Sequence, residues 1–256
     1  MNALDVGELT FSYGGEAVIQ NVSCGIREGE FVGIIGPNGA GKSTLLRLLC
    51  RILKNRQGRI LVFDRDITLY SGRELARQIG FVPQETSFTL NFTVAEIVLM
   101  GRYPYLKAFE REGSADRKIM EQAMADAEIM PFRDRPINDL SSGERQRAVI
   151  ARALCQQPRI LLLDEPTSHL DLRHQTGIMD LLKKLNGQGM SIVIVNHDLN
   201  LTARYCRRLI LLDRGSVRAD GPPAELLNEP LLREVYQTEL RVIKHPDQDV
   251  PQVLLK

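Results

Sequence analysis

GPNGAGKST, residues 36–44, joins two segments of different period. Before it stands FVGII, residues 31–35, an unbroken apolar run that predicts a buried strand. After it LLRLLCRIL, residues 45–53, repeats leucine at helical spacing and predicts a helix. Gly36, Gly39 and Gly41 allow backbone conformations that a Cβ resists, so successive N–H groups can point into one concavity, to which the new helix adds its positive end. Such a concavity suits a polyphosphate. The stretch matches G-x-x-x-x-G-K-[ST] in full: Lys42 brings a cation to the β- and γ-phosphates, and the Ser43 hydroxyl can ligate the Mg2+ that accompanies a nucleoside triphosphate. Asn38, Gly39, Ala40, Gly41, Lys42, Ser43 and Thr44 are the residues expected to line it. A chance glycine-rich turn is the competing reading, opposed by the strand before and the helix after. The motif alone leaves kinase, GTPase, helicase and transporter open.

Composition narrows the classes. The chain has 256 residues, 43% of them hydrophobic, enough for one large domain with a real core. Its 33 Lys and Arg balance 32 Asp and Glu, so charge predicts neither a nucleic-acid tail nor a polybasic membrane anchor. Cys24, Cys50, Cys155 and Cys206 are scattered with no C-x-x-C pair, which fits reduced packing thiols. The first residues lack the pattern of a signal peptide, and no apolar run approaches the roughly 20 residues of a membrane span, so the chain is expected to stay in water.

ELTFSY and VIQNVSCGI alternate in period two around Gly14 and Gly15, which predicts antiparallel strands joined by a turn. Tyr13 lies at that turn, where its ring could stack on an adenine, or Phe11 and Tyr13 could simply fill the sheet. QGRILVFDRDI reads as a short strand pair. SGRELARQI reads as a helix opened by Ser71 with Glu74 three residues on. In IGFVPQ the run 79–82 is a strand ended by Pro83. That leaves Gln84 at a strand terminus, either as a loop residue or as an amide facing a metal ion or water. From Glu85 strand signals fade: Thr93 and Glu96 cap a helix, RYPYLKAF offers Tyr103, Tyr105 and Phe109, and a second helix follows. Those aromatics form a candidate docking surface unless they pack inside the helical layer.

In INDLSSGERQRAVIARALCQQP, Ser141 and Glu144 again make a capping-box pattern, and Ser142 and Gly143 leave bare N–H groups in the first turn. This end is either a well-capped helix or an anion site. In RILLLDEPTSHLDL, residues 160–163 form a buried strand with Asp164 and Glu165 at its carboxyl end. Asp164 is suited to hold the hydration shell of Mg2+, and Glu165 to polarise water attacking a γ-phosphate. MSIVIVNHD repeats the design, its apolar run leading to His197, whose imidazole can bond a γ-phosphate or water. Metal binding by His169, His174 and His197 is the weaker alternative.

Taken in this order, Tyr13, the phosphate loop, Gln84, LSSGERQ (140–146), ILLLDE, SHLD (168–171) and His197 make nearly the whole chain resemble the nucleotide-binding subunit of an ATP-binding cassette (ABC) transporter. The resemblance implies an α/β P-loop NTPase: a RecA-like core at 31–85 and 157–243, a mainly antiparallel β subdomain at 1–30, a helical subdomain at 86–156 and a tail at 244–256. It further implies a head-to-tail homodimer with ATP and Mg2+ as ligands. In that dimer Ser142 and Gly143 meet the γ-phosphate held by the partner's Lys42, Asp171 lies at the dimer contact, and Ser43, Gln84 and, through water, Asp164 serve the metal. Glu165 and His197 are then catalytic, and Tyr13 stacks on adenine. His169 within SHLD departs from the small residues common there.

IVLMGRYPYL, FVPQ and ADGPPAELL narrow the resemblance to ATPase subunits of importers for iron siderophores, haem and cobalamin. Expected partners are two membrane permease subunits and, indirectly, an external binding protein, with this chain peripheral on the cytoplasmic face of the membrane. No nucleic-acid partner is expected. The rival class is a soluble ABC ATPase acting on ribosomes or nucleic acid; the second cassette, basic linker or long coiled coils of such proteins are not found. A nucleotide kinase fails on the signature and on the Asp164–Glu165 pair.

Overall fold

The computed structural model describes residues 1–54, 57–84, 86, 88–246 and 249–256. The change of character read at Glu85 lies outside the described residues. From the amino terminus come β1 (Asn2–Ser12), β2 (Ala17–Arg27), β3 (Phe31–Ile35), α1 (Lys42–Leu49), β4 (Gln57–Val62), β5 (Arg65–Asp66), α2 (Gly72–Gln78) and β6 (Ile79–Val82). Next are α3 (Val94–Leu99), α4 (Ser114–Asp126), α5 (Ser142–Leu154), β7 (Ile160–Asp164), α6 (Leu172–Gly187) and β8 (Ser191–Val195). The chain closes with α7 (Leu199–Tyr205), β9 (Arg208–Asp213), β10 (Ser216–Gly221), α8 (Pro223–Leu226), α9 (Glu229–Tyr236), β11 (Leu240–Lys244) and β12 (Pro251–Leu255). Two compact units result, one of residues 1–67 with 191–256 and one of residues 68–190.

In the first unit β1 pairs antiparallel with β2 on one side and β4 on the other, and β5 follows β4. The antiparallel layer therefore takes in β4 and β5, beyond the 1–30 range expected. β3 lies between β8 and β9, parallel to both, and β10 returns antiparallel along β9. Every residue of β3 and of β8 is buried, as continuous apolar runs in a parallel sheet require. In the second unit β6 and β7 pair in parallel, Ile79 beside Ile160 through Val82 beside Leu163. All five residues of β7 are buried.

Local signals set the helix starts. Ser71 with Glu74, Thr93 with Glu96, and Ser141 with Glu144 all form complete capping boxes. Burial opposes ionisation of Glu144, but the Ser141 N–H and hydroxyl bonds outweigh it and lower its pKa. The segment expected as a tail instead turns back as β12, paired antiparallel with β11 from Leu240–Leu255 to Lys244–Pro251. Asn200 on α7 holds β12 as a neighbouring strand would: its Nδ2 donates to the Val253 carbonyl at 3.0 Å and its Oδ1 accepts from the Val253 N–H at 2.7 Å.

Asn200→Ala leaves both Val253 groups without that partner, and we expect a loss of about 1–2 kcal/mol, typical of part-buried backbone hydrogen bonds. A lower urea midpoint at unchanged slope checks this; an unaltered midpoint would show that β12 is held by β11 alone.

Candidate nucleotide site and its second-unit residues

In the first unit the phosphate loop leaves the end of β3 and enters α1. Gly36 has φ 145°, and a Cβ there would lie 2.1 Å from the Leu212 carbonyl oxygen, so no other residue fits the exit from the sheet. Gly41, at φ 97°, is equally constrained: a Cβ would lie 2.8 Å from both the Val18 carbonyl and Ile19 Cδ1. Gly41 opens α1, its carbonyl accepting from the Leu45 N–H at 2.8 Å. Lys42 is buried and folds back over the loop, its Nζ donating to the carbonyls of Gly36 at 2.7 Å and Pro37 at 2.8 Å. Ala40 and Thr44 are buried, Ser43 is half-buried, and Asn38 and Gly39 are exposed. The helix expected through residue 53 ends at Leu49, with Arg51 at φ 55°.

Phe11 fills the sheet, whereas Tyr13 stands 60% exposed. The two rings meet edge to face at 4.9 Å, and the Tyr13 hydroxyl lies 3.3 Å from Thr44 Oγ1, so the ring is anchored to the start of α1. His197 is exposed two residues beyond the end of β8. On the outer side of the loop a cavity of about 280 Å³ is lined by Pro37, Asn38, Gly39, Arg214 and Tyr236, among others. Burial pushes the Tyr236 phenol up to about 12, although a hydrogen bond with the Gly36 backbone opposes the shift.

In the second unit Asp164 ends β7 and Glu165 follows at φ 49°, a left-handed conformation that turns the chain away from the strand. Both carboxylates are buried. Gln84 Nε2 donates to Glu165 Oε2 at 2.6 Å, a contact between residues 81 apart that sequence spacing did not reveal. With its nitrogen so engaged, Gln84 has its oxygen as the end of the amide that can face a cation. Ser168 closes the following turn, its N–H and hydroxyl both donating to the Glu165 carbonyl. Asp171 then caps α6 through the His174 N–H. Ser142 is exposed and Gly143 buried in the first turn of α5.

The aromatic segment is not the loop expected. Residues 100–105 form a 3-10 helix in which Tyr103 is exposed but Tyr105 is half-buried, and Leu106 just beyond it is buried. The Tyr105 hydroxyl donates to the Gln156 carbonyl at 2.9 Å, and its ring is covered by the guanidinium groups of Arg102 and Arg77. Arg102, missed at the sequence level, is the hub: buried itself, it donates to Asp116, to the Cys155 carbonyl and to Gln157. Of the expected docking aromatics only Tyr103 and Phe109 present open rings. The weaker alternative, a histidine metal site, gains no support: among the described residues no group of three His, Cys, Asp or Glu is placed to hold a metal.

Ser43 in the first unit, and Gln84 and Asp164 in the second, each carry an oxygen of the hard type that Mg2+ prefers, a cation that keeps water and substrate phosphate among its ligands. The buried Lys42 cation, satisfied by loop carbonyls, and the N–H-rich turn match a triphosphate.

Comparison with known proteins identifies the family. The chain matches the ABC transporter family over residues 19–168. It is 39% identical to the hemin import ATP-binding protein HmuV of Thermobifida fusca (strain YX) over 98% of this chain and 88% of that protein. It is also 39% identical to the ferric enterobactin transport ATP-binding protein FepC of Escherichia coli (strain K12), over 96% and 92% respectively. The chain spans 57% of the length of a further relative, the ABC transporter ATP-binding protein YvrA of Bacillus subtilis (strain 168), to which it is 38% identical. Among solved structures, a metal-chelate type ABC transporter in an inward-facing conformation superposes with a TM-score of 0.87 at 30% identity, covering 100% of this chain and 98% of the other. The dimeric bacterial cassette MJ0796 gives 0.74 at 34% identity, with 86% and 98% covered.

The burial difference within the aromatic segment predicts different outcomes for two neighbours. Tyr103→Ser should change stability by less than about 0.5 kcal/mol, as for an ordinary surface site, while Tyr105→Ser should cost about 2 kcal/mol or more. Thermal unfolding of the two purified variants checks this; equal midpoints would refute the packing assigned to Tyr105.

Proposed function

The chain belongs to the ABC transporter family, and from that premise we propose that it is the ATP-hydrolysing subunit of an importer powering uptake of an iron complex, haem or cobalamin through a separate membrane permease. The observation that carries the reading is near full-length similarity to hemin and ferric enterobactin import ATP-binding proteins, together with an ordered set of chemistry-bearing residues at strand and helix ends. No helix among the described residues is long and apolar enough to cross a membrane. From the likeness to import ATP-binding proteins we assign membrane association to the permease, and we place this chain peripherally on its cytoplasmic side. Two copies of the chain, two permease subunits and an external binding protein complete the assembly we envisage.

Each site residue has a chemical task in this reading. The N–H groups of residues 38–44 and Lys42 hold the β- and γ-phosphates, and Tyr13 offers its exposed ring to the adenine. Ser43, Gln84 and, through water, Asp164 would hold Mg2+, which would neutralise phosphate charge. Glu165 takes the proton as water attacks the γ-phosphate: the new oxygen–phosphorus bond forms while the bond to the ADP oxygen breaks. Gln84 fixes the rotamer of Glu165 through the 2.6 Å bond, so the base is oriented before water arrives. His197 steadies the γ-phosphate or the water. Ser142 and Gly143, at the positive end of a thirteen-residue helix, serve the ATP held by a second copy of the chain. The segment 86–156, entered just past Gln84, is the helical part that we assign to the permease-facing role, with Tyr103 and Phe109 as its open aromatics.

Glu165→Gln should keep ATP binding and lose steady hydrolysis by at least about a hundredfold, the scale of a missing general base. Lys42→Ala should instead weaken ATP binding by about ten- to a hundredfold, through loss of a charge-assisted phosphate contact. Nucleotide titration and phosphate release on the purified variants separate the two. Near-normal turnover in Glu165→Gln would remove Glu165 as the base.

A further inference from the structure

Helices α5 and α6 meet through reciprocal notches. A Cβ on Gly143 of α5 would lie 2.2 Å from His174 Cδ2 and 2.6 Å from its Cγ, so the imidazole of α6 occupies the space that a side chain at 143 would fill. One turn along, the arrangement reverses: a Cβ on Gly177 of α6 would lie 2.9 Å from a guanidinium nitrogen of Arg147 on α5. The notch at Gly143 opens onto the first turn of α5, beside the exposed Ser142.

The same imidazole has a second attachment. Asp171 Oδ1 accepts from the His174 backbone N–H at 2.8 Å and lies 2.8 Å from His174 Nδ1. These two bonds, the backbone one first, hold the Asp171 carboxyl below the usual carboxylate range. A carboxylate has only lone pairs to offer, so Nδ1 carries the proton and the ring's Cδ2–Nε2 edge is turned to Gly143. One side chain thus touches both Gly143 and the end of the 168–171 stretch.

We infer that His174 is a positioning residue that locks the 168–171 stretch to the Ser142–Gly143 turn, so that the dimer contact and the turn offered to the partner subunit's ATP are set together. This rests on the shared-site reading above. It gives Gly143 a second reason to be glycine, because it must admit the imidazole as well as expose backbone N–H groups. It also explains why Asp171 is more than a helix cap: its carboxylate is the fulcrum through which a shift of the 168–171 stretch reaches α5. Packing alone would need only a ring-sized filler at 174, whereas coupling needs the Nδ1–H bond.

The test uses the full chain with His174→Ala and His174→Asn. His174→Ala should lower kcat about five- to tenfold, the size of one lost positioning hydrogen bond, with KM for ATP within about twofold because the phosphate loop of the same chain is untouched. His174→Asn should recover to within about threefold of the unaltered chain, since its Nδ2 can donate to Asp171 where Nδ1 does. Mixing His174→Ala subunits with Lys42→Ala subunits should restore activity in proven heterodimers, because both defects then fall on one of the two sites; Ser142→Arg mixed with Lys42→Ala is the reference. If the reference pair recovers while His174→Ala keeps full kcat, or while His174→Asn is as impaired as His174→Ala, the coupling role is overturned and the shared site survives. If the reference pair fails to recover, the shared-site reading itself falls. A lowered melting temperature in His174→Ala alone does not decide the matter, because the Asn variant and the mixed dimers still do.

Discussion

A ring of backbone amides can close around a phosphate only where no side chain stands between the loop and what supports it. Here that requirement is met by contact of backbone on backbone. The Val18 carbonyl of β2 faces both Gly41 of the loop and Gly215 of the β9–β10 turn, and a Cβ on either would lie within 2.8 Å of it. The Gly215 carbonyl accepts from the Gln20 N–H at 2.8 Å, and the Gly215 N–H donates to the Ala40 carbonyl at 3.2 Å. The antiparallel strand, the hairpin turn and the phosphate loop are therefore clamped through glycines. The same contact brings Tyr13, at the end of β1, to the first turn of α1. In the proposed function, recognition of base and of phosphate would thus share one support.

The second unit solves a different problem, that of holding two adjacent carboxylates in a buried position. Burying charge is costly unless partners offset it. Gln84 supplies one partner to Glu165, and the chain turns left-handed at Glu165, directly after Asp164 at the end of the strand. A neutral amide is a suitable partner for a base, since it orients the carboxylate without adding a full positive charge that would make it a poorer proton acceptor. In the importer reading, Gln84 also stands at the entrance to the helical segment, so the group that reads the state of the nucleotide is the one from which that segment begins.

Much of this was legible from the sequence because the deciding forces are local. Three capping boxes depend on residues three apart, and all three form. The apolar runs at 31–35, 160–163 and 192–195 lie in strands because a fully buried parallel strand needs no alternation. What escaped depends on distant partners. β12 has little burial to signal it and is defined by pairing with β11 and by Asn200. Tyr105 looked like a surface aromatic because its cover is two arginines rather than apolar residues. The contact of His174 with Gly143 required knowing how α5 crosses α6, which no periodicity encodes. The order of the motifs along the chain was readable from the sequence, whereas geometry such as the bond from Gln84 to Glu165 was not.

The central claim is that a complete ATP site needs two copies of this chain, one giving Lys42 and one giving Ser142 and Gly143. The most direct measurement is the mass in solution of the Glu165→Gln protein, by light scattering with and without Mg2+-ATP, with bound nucleotide counted in the same fractions. The account predicts a monomer that becomes a dimer holding two ATP molecules only when ATP is present. A monomer that binds ATP stoichiometrically and never dimerises, at concentrations well above its ATP dissociation constant, would contradict it.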